Sequence, residues 1–85
     1  MKTVSLIVEN TSGINALLAQ KVVQSASEFD SDITLKYLNK EVDLKSILGI
    51  MSLAVLEGAK IEIEAKGVDA QEAIDTLRSM LNNRG

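Results

Sequence analysis

An 85-residue chain is long enough for one domain, and we expect residues 1–85 to fold as that single unit. The chain contains neither cysteine nor histidine, which excludes disulfides, thiolate chemistry and the usual transition-metal sites. A net charge of -3 argues against direct nucleic-acid binding, and every apolar run is far shorter than a membrane span. The start of the chain also lacks a signal-peptide pattern, so we predict a cytoplasmic protein. We further expect that it needs no metal or cofactor.

The first third of the sequence predicts a strand followed by a helix. Val4, Leu6 and Val8 recur with a period of two, which predicts a mostly buried strand, and the turn-forming residues 10–13 end it. From Asn15 the spacing changes to that of a helix, with an apolar stripe that reaches Phe29. The polar residues 30–32 are expected to break this helix.

Two strands joined as a hairpin are predicted next. Residues 33–37 alternate again, and Asn39 with Lys40 is interpreted as a tight connection. The third strand then falls around residues 41–44. We therefore expect residues 33–44 to pair with each other as antiparallel strands.

A short apolar helix over 47–53 follows, and Ser46 is its predicted N-cap. Gly58 marks a turn. Residues 60–66 show the clearest alternation in the chain, which predicts an antiparallel strand with one solvent-exposed face.

The last helix is predicted from a cap, an apolar face and a polar end. Asp69 and Glu72 are interpreted as a capping box, and residues 82–85 as the end of the helix. The apolar face consists of Ala70, Ala73, Ile74, Leu77 and Leu81. The resulting order, β-α-β-β-α-β-α, predicts an α+β fold of the open-faced β-sandwich type. In this fold a four-stranded antiparallel sheet carries three helices on one face.

Two segments resemble the HPr family, the phosphocarrier proteins of the sugar phosphotransferase system. Residues 44–53 read LKSILGIMSL and are similar to the regulatory-serine segment of that family. Residues 24–33 read QSASEFDSDI and resemble its first helix end and second strand. Gly67 and the pairs at 58–59 and 72–73 also match, so the resemblance covers essentially the whole chain. It implies the same element order and a function connected with phosphotransfer.

The segment after the first strand departs from the family pattern, Gly-[Ile/Leu]-His-Ala-Arg-Pro-Ala. Asn15 stands at the position of the phosphorylated histidine, Leu17 at that of the arginine and Leu18 at that of the proline. An amide nitrogen is not a nucleophile at neutral pH, whereas an imidazole nitrogen is. The resemblance therefore implies that no residue of this chain is catalytic and that histidine phosphotransfer is lost.

Asn15 and the two leucines each allow two interpretations. Asn15 is expected to be a helix N-cap, and the alternative is recognition of a partner through its amide. Leu18 falls on the apolar stripe and is assigned to the core. Leu17 lies off the stripe, and it extends a partner-binding patch if it adjoins Ile47, Leu48 and Met51.

Ser46 is the predicted phosphorylation site, and an ordinary helix cap is the alternative. In the family this serine is the target of an ATP-dependent HPr kinase/phosphorylase, and the phosphorylated form is a corepressor of a catabolite-control transcription regulator. A phosphate at a helix N-terminus is tolerated because backbone N–H groups face it. Ile47, Leu48 and Met51 are the expected docking surface, and Lys45 is either part of it or an ordinary solvated charge.

Three functions remain after this comparison, and none of them is an enzyme. The first is a regulatory adaptor that keeps the serine switch, similar to the catabolite-repression paralogue of the family. The second is a binding module that docks on phosphotransferase-system proteins without carrying phosphate. The third is a phosphocarrier whose histidine has been replaced, which the simultaneous loss of the arginine disfavours.

Overall fold

The computed structural model describes residues 1–82 of the chain. Within them, four strands and three helices follow the predicted order. They are β1 (Lys2–Ile7), α1 (Ala16–Ala26), β2 (Asp32–Tyr37), β3 (Lys40–Asp43), α2 (Ile47–Ser52), β4 (Lys60–Lys66) and α3 (Ala70–Leu81). Of the end predicted at 82–85, Asn82 is the C-cap of α3, and residues 83–85 lie outside the described part of the chain.

The four strands form one antiparallel sheet in the order β1-β4-β2-β3. On β4, Ile61, Ile63 and Ala65 are buried, because alternate side chains of this strand point to the helix-covered face. The opposite face is exposed, and there Lys36 lies 3.6 Å from Glu64. The predicted open-faced α+β sandwich is confirmed, and aliphatic side chains from the sheet and all three helices fill its core.

The predicted β2–β3 hairpin is confirmed, but its turn begins one residue earlier than expected. Tyr37 pairs with Lys40, so Leu38 and Asn39 form the connection and Lys40 already belongs to β3. Leu38 has a φ of 57°, a left-handed conformation that leucine rarely adopts. A turn with a leucine at this position has no strong signature in the sequence.

The end of β3 also differs from the prediction by one residue. The carboxylate of Asp43 accepts a hydrogen bond from the backbone N–H of Lys45 at 2.8 Å, which closes a turn directly after the strand. Leu44 was expected within the strand. It instead follows the strand and is fully buried.

Helix α1 ends at Ala26, earlier than the apolar stripe indicated. The chain tightens there, since the backbone N–H of Phe29 donates to the carbonyl of Ala26 at 3.2 Å. Phe29 nevertheless packs against the core from the loop. The stripe therefore correctly predicted which side chains are buried, while the helix itself is shorter.

The capping box predicted at the start of α3 is wrong. Asp69 is the N-cap residue, but its side chain makes no hydrogen bond to the first turn of the helix. The carboxylate instead accepts hydrogen bonds from the backbone N–H groups of Asp30 at 2.8 Å and Ser31 at 3.0 Å, and from the hydroxyl of Ser31. Asp69 thus holds the loop that follows α1.

Candidate functional site

Asn15 is the N-cap of α1, as predicted. Its backbone is extended, with φ -81° and ψ 179°, and its Oδ1 accepts a hydrogen bond from the backbone N–H of Leu18 at 2.9 Å. The backbone carbonyl of Asn15 accepts a second bond, from Ala19. The amide oxygen is therefore used to satisfy a helix N–H group that would otherwise lack a partner.

The loop before Asn15 is held against the segment that follows α2. The backbone N–H of Ile14 donates to the carbonyl of Val55 at 3.0 Å. Gly13 has a φ of 64°, and a Cβ atom there would lie 2.3 Å from the same carbonyl oxygen. Only glycine fits this approach, so Gly13 allows the loop before α1 to lie against that segment.

Ser46 is the N-cap of α2, again as predicted. Its Oγ accepts a hydrogen bond from the backbone N–H of Gly49 at 3.1 Å, and the residue is partly buried. A Cβ atom at position 49 would approach Oγ to 3.3 Å and the Cβ of Val42 to 3.2 Å. A hydroxyl oxygen has two lone pairs, so one remains after the cap bond is made.

The predicted docking residues of α2 are solvent-exposed. The exposed fraction is 41% for Ile47, 83% for Leu48 and 38% for Met51, whereas Ile50 faces the core. A single helical turn thus divides its aliphatic side chains between the interior and the solvent. Exposed side chains of this size are candidates for contact with a partner.

Leu17 is also exposed, at 61%, and Leu18 packs partly buried against the core. Leu17 lines a surface depression together with Asn15, Lys21 and Met80. Its lining does not include the docking residues of α2, although α1 and α2 are in contact. Whether Leu17 adjoins those residues stays a prediction.

Lys45 is engaged within the protein. Its Nζ donates a hydrogen bond to the backbone carbonyl of Phe29 at 2.9 Å, and the side chain is partly buried. The ammonium thus connects the segment before α2 with the loop after α1. A partner that bound Lys45 would have to replace this bond.

One exposed residue near the site was not singled out from the sequence. Leu56 is 69% exposed, and its backbone lies directly against Gly13. The sequence contained one signal for its exposure: Leu56 is a large aliphatic residue just before a turn, where a polar residue is usual.

The chemistry available here is that of a hydroxyl acceptor and apolar contacts. The chain has no imidazole or thiol, and residues 1–82 contain no group of acidic side chains arranged to hold a metal ion. Within the same residues, no helix has the length and apolar character needed to span a bilayer. Among the hydroxyl groups here, that of Ser46 lies at a helix N-cap.

Residues 2–83 match the model of a protein family described as the PTS HPr component phosphorylation site. The HPr-C-His structure from Thermoanaerobacter tengcongensis is 42% identical, covering 95% of this chain and 91% of that chain, with a TM-score of 0.92. The phosphocarrier protein HPr from Bacillus anthracis is 38% identical, with 94% and 95% covered and a TM-score of 0.92. The Bacillus subtilis catabolite repression protein Crh, solved as a domain-swapped dimer, is 41% identical over 84% of this chain and 82% of that chain, with a TM-score of 0.77.

Proposed function

The chain belongs to the HPr family, whose members are phosphocarriers rather than enzymes, and we propose that it acts as a regulatory adaptor without histidine phosphocarrier activity. Its switch is phosphorylation of Ser46 by an ATP-dependent kinase of the HPr kinase/phosphorylase type. The phosphorylated form then binds a catabolite-control transcription regulator or phosphotransferase-system proteins in the cytoplasm. The chain itself contacts neither nucleic acid nor membrane in this proposal.

The loss of carrier activity is supported by the chemistry around Asn15. The chain contains no histidine at all, so no imidazole from elsewhere can substitute. The amide oxygen of Asn15 is bound to the backbone of Leu18, and the amide nitrogen has a delocalised lone pair. At position 17 a leucine offers no guanidinium to balance the charge of a phosphoryl group.

The single observation that carries the switch is that the Ser46 hydroxyl lies at the N-cap of a helix that exposes aliphatic side chains. In the reaction, Oγ attacks the γ-phosphorus of ATP, the bond to the ADP oxygen breaks, and the hydroxyl proton leaves to a base of the kinase. Ile47, Leu48 and Met51 follow Ser46 within α2, and their exposed side chains are available for docking. The backbone N–H of Gly49, already bound to Oγ, can remain a donor to the modified residue.

Intact-mass measurement after incubation with an HPr-type kinase and ATP tests this proposal. We expect the mass of one phosphoryl group to be added, with fragmentation locating it on Ser46. Ser46→Ala should abolish the addition. The matched control is Ser52→Ala, which removes an exposed serine of the same helix and should leave the addition unchanged. Unmodified wild type, or modification that persists in Ser46→Ala, would rule out the switch.

A silent binding module is the second candidate, and two contacts favour it. Ser46 already serves as a helix cap, and Lys45 is bound to Phe29, so both have structural roles without any kinase. This candidate predicts binding to phosphotransferase-system proteins that is the same with and without kinase treatment. The third possibility, a phosphocarrier whose histidine has been replaced, is tested by restoring that residue.

A further inference from the structure

We infer that residues 10–20 and 46–56 together form a surface that binds the same surface of a second copy of this chain. We call it the uncharged face. It includes the docking residues of α2, but the inference concerns self-association and is independent of any kinase.

The uncharged face is defined first by the distribution of charge along the sequence. The chain carries nine Lys and Arg and twelve Asp and Glu, yet none of them falls within 10–20 or 46–56. These are the two longest uncharged runs in the sequence. With about one residue in four charged, two such runs are far from an even distribution.

The two runs meet in the folded protein. Ile14 of the first run donates its backbone N–H to Val55 of the second at 3.0 Å, and Gly13 lies against the backbone of Leu56. The helices that the runs contribute, α1 and α2, are also in contact. The two uncharged runs are therefore joined through their backbones and through their helices.

Exposed apolar side chains are concentrated in the same region. Among the residues that the structure describes, nine large hydrophobic side chains are exposed, and five of them belong to the uncharged face. These five are Leu17, Ile47, Leu48, Met51 and Leu56. Depletion of charge together with exposed large apolar groups is typical of the central part of a protein interface.

Charge complementarity favours a second copy as the occupant. A two-fold contact places a surface patch against the identical patch, so a charged patch would face its own charge. Here the patch is uncharged, and each run is bordered by one acid and one base: Glu9 and Lys21 for 10–20, and Lys45 and Glu57 for 46–56. The residues that flank the two runs in the sequence are thus neutral overall, whereas the net charge of -3 disfavours self-contact through the rest of the surface.

Sedimentation velocity over a range of protein concentrations tests the inference. We expect the wild-type chain to shift reversibly from monomer to dimer as its concentration rises, and added salt to leave the equilibrium unchanged or favour the dimer. Leu48→Lys should raise the dissociation constant by at least about tenfold, because each copy would then bury an unpaired positive charge in the contact. Leu17→Lys should do the same from the α1 side of the face.

The matched control is Val68→Lys, which introduces the same charge at a 95%-exposed apolar residue outside the uncharged face. This variant should dimerise like the wild type, and circular dichroism should show all three variants folded. A wild type that stays monomeric at every concentration would overturn the inference and leave the face to a different protein. Dimers that survive in both Leu48→Lys and Leu17→Lys would also overturn it, since they would be held by another surface or by an exchanged strand.

Discussion

The carboxylate of Asp69 accepts a hydrogen bond from the hydroxyl of Ser31, which lies 38 residues earlier in the chain. Ser31 is fully buried, so its hydroxyl needs a partner within the protein. This bond is the main cause, and the bond from the backbone N–H of Asp30 the second, that holds the pKa of Asp69 below its ordinary value. The contact that joins the start of α3 to the loop after α1 is therefore stronger while the carboxyl group is ionised.

Replacing Asp69 with asparagine should lower the urea midpoint at neutral pH and matter less in acid. The pKa of Asp69 is lower in the folded than in the unfolded chain, where it is near 3.8. Its contribution is thus present above 3.8 and disappears as the pH falls through the folded value. Urea titrations of both proteins between neutral and strongly acidic pH measure the difference.

The control for this variant is Asp75→Asn, which removes an exposed carboxylate of the same helix from a 3.5 Å pair with Arg78. Such exposed pairs contribute little, so its midpoint should stay close to that of the wild type. A difference between wild type and Asp69→Asn that is constant down to strongly acidic pH would show that the charge of Asp69 is irrelevant.

The cap of α1 can be tested by substitution of Asn15. Asn15→Ala should lower the free energy of unfolding by about 0.5–2 kcal/mol, because the N–H of Leu18 loses its acceptor, while Asn15→Ser should be nearly neutral. Gln24→Ala, at an exposed position within the same helix, is the control and should change little. Equal urea midpoints for the asparagine, serine and alanine proteins would mean that the cap bond contributes nothing.

Phosphoenolpyruvate with the general phosphotransferase enzyme should leave this protein unmodified. Asn15→His alone should restore little transfer, because Leu17 supplies no guanidinium to bind the phosphoryl group. The double variant with Leu17→Arg should recover much more. Acid-labile phosphate measured by intact mass distinguishes these proteins, and full recovery by Asn15→His alone would show that the arginine is dispensable.

Ala54 occupies a position that suits glycine better. It follows the C-cap of α2 with a φ of 51°, and its backbone N–H donates to Met51 at 3.2 Å. Ala54→Gly should raise the free energy of unfolding by about 0.5–1 kcal/mol, since relief of left-handed strain exceeds the added flexibility of glycine. Ala16→Gly, at an exposed alanine that begins α1, should destabilise instead, and thermal melts of both variants give the comparison.

Periodic patterns predicted most of the fold. The alternation over 60–66 gave the bounds of β4, and the apolar face proposed for α3 is the buried one. The caps at Asn15 and Ser46 were predictable because each bond joins a side chain to an amide three residues later. Such short-range bonds depend mainly on residue type and position in the helix.

The errors concern contacts that no local pattern contains. Asp69 had the sequence of a helix cap, but a loop 38 residues away provides its partners. Lys45 was interpreted either as a docking residue or as a solvated charge, and its bond to Phe29, which depends on how distant segments meet, was in neither interpretation. In the hairpin, Leu38 adopts a turn conformation that its side chain disfavours, so the connection was placed one residue too late.

The strand order β1-β4-β2-β3 also has a consequence for the time at which the protein can fold during synthesis. Within the described residues, β1 pairs only with β4, so Lys2 can pair only after Ala65 has been synthesised. Tyr37 and Lys40, in contrast, can pair as soon as they leave the ribosome. Closing the longer loop carries the larger entropic cost. β1 is made before the other three strands but takes its place in the sheet only when β4 emerges and joins it to the completed hairpin.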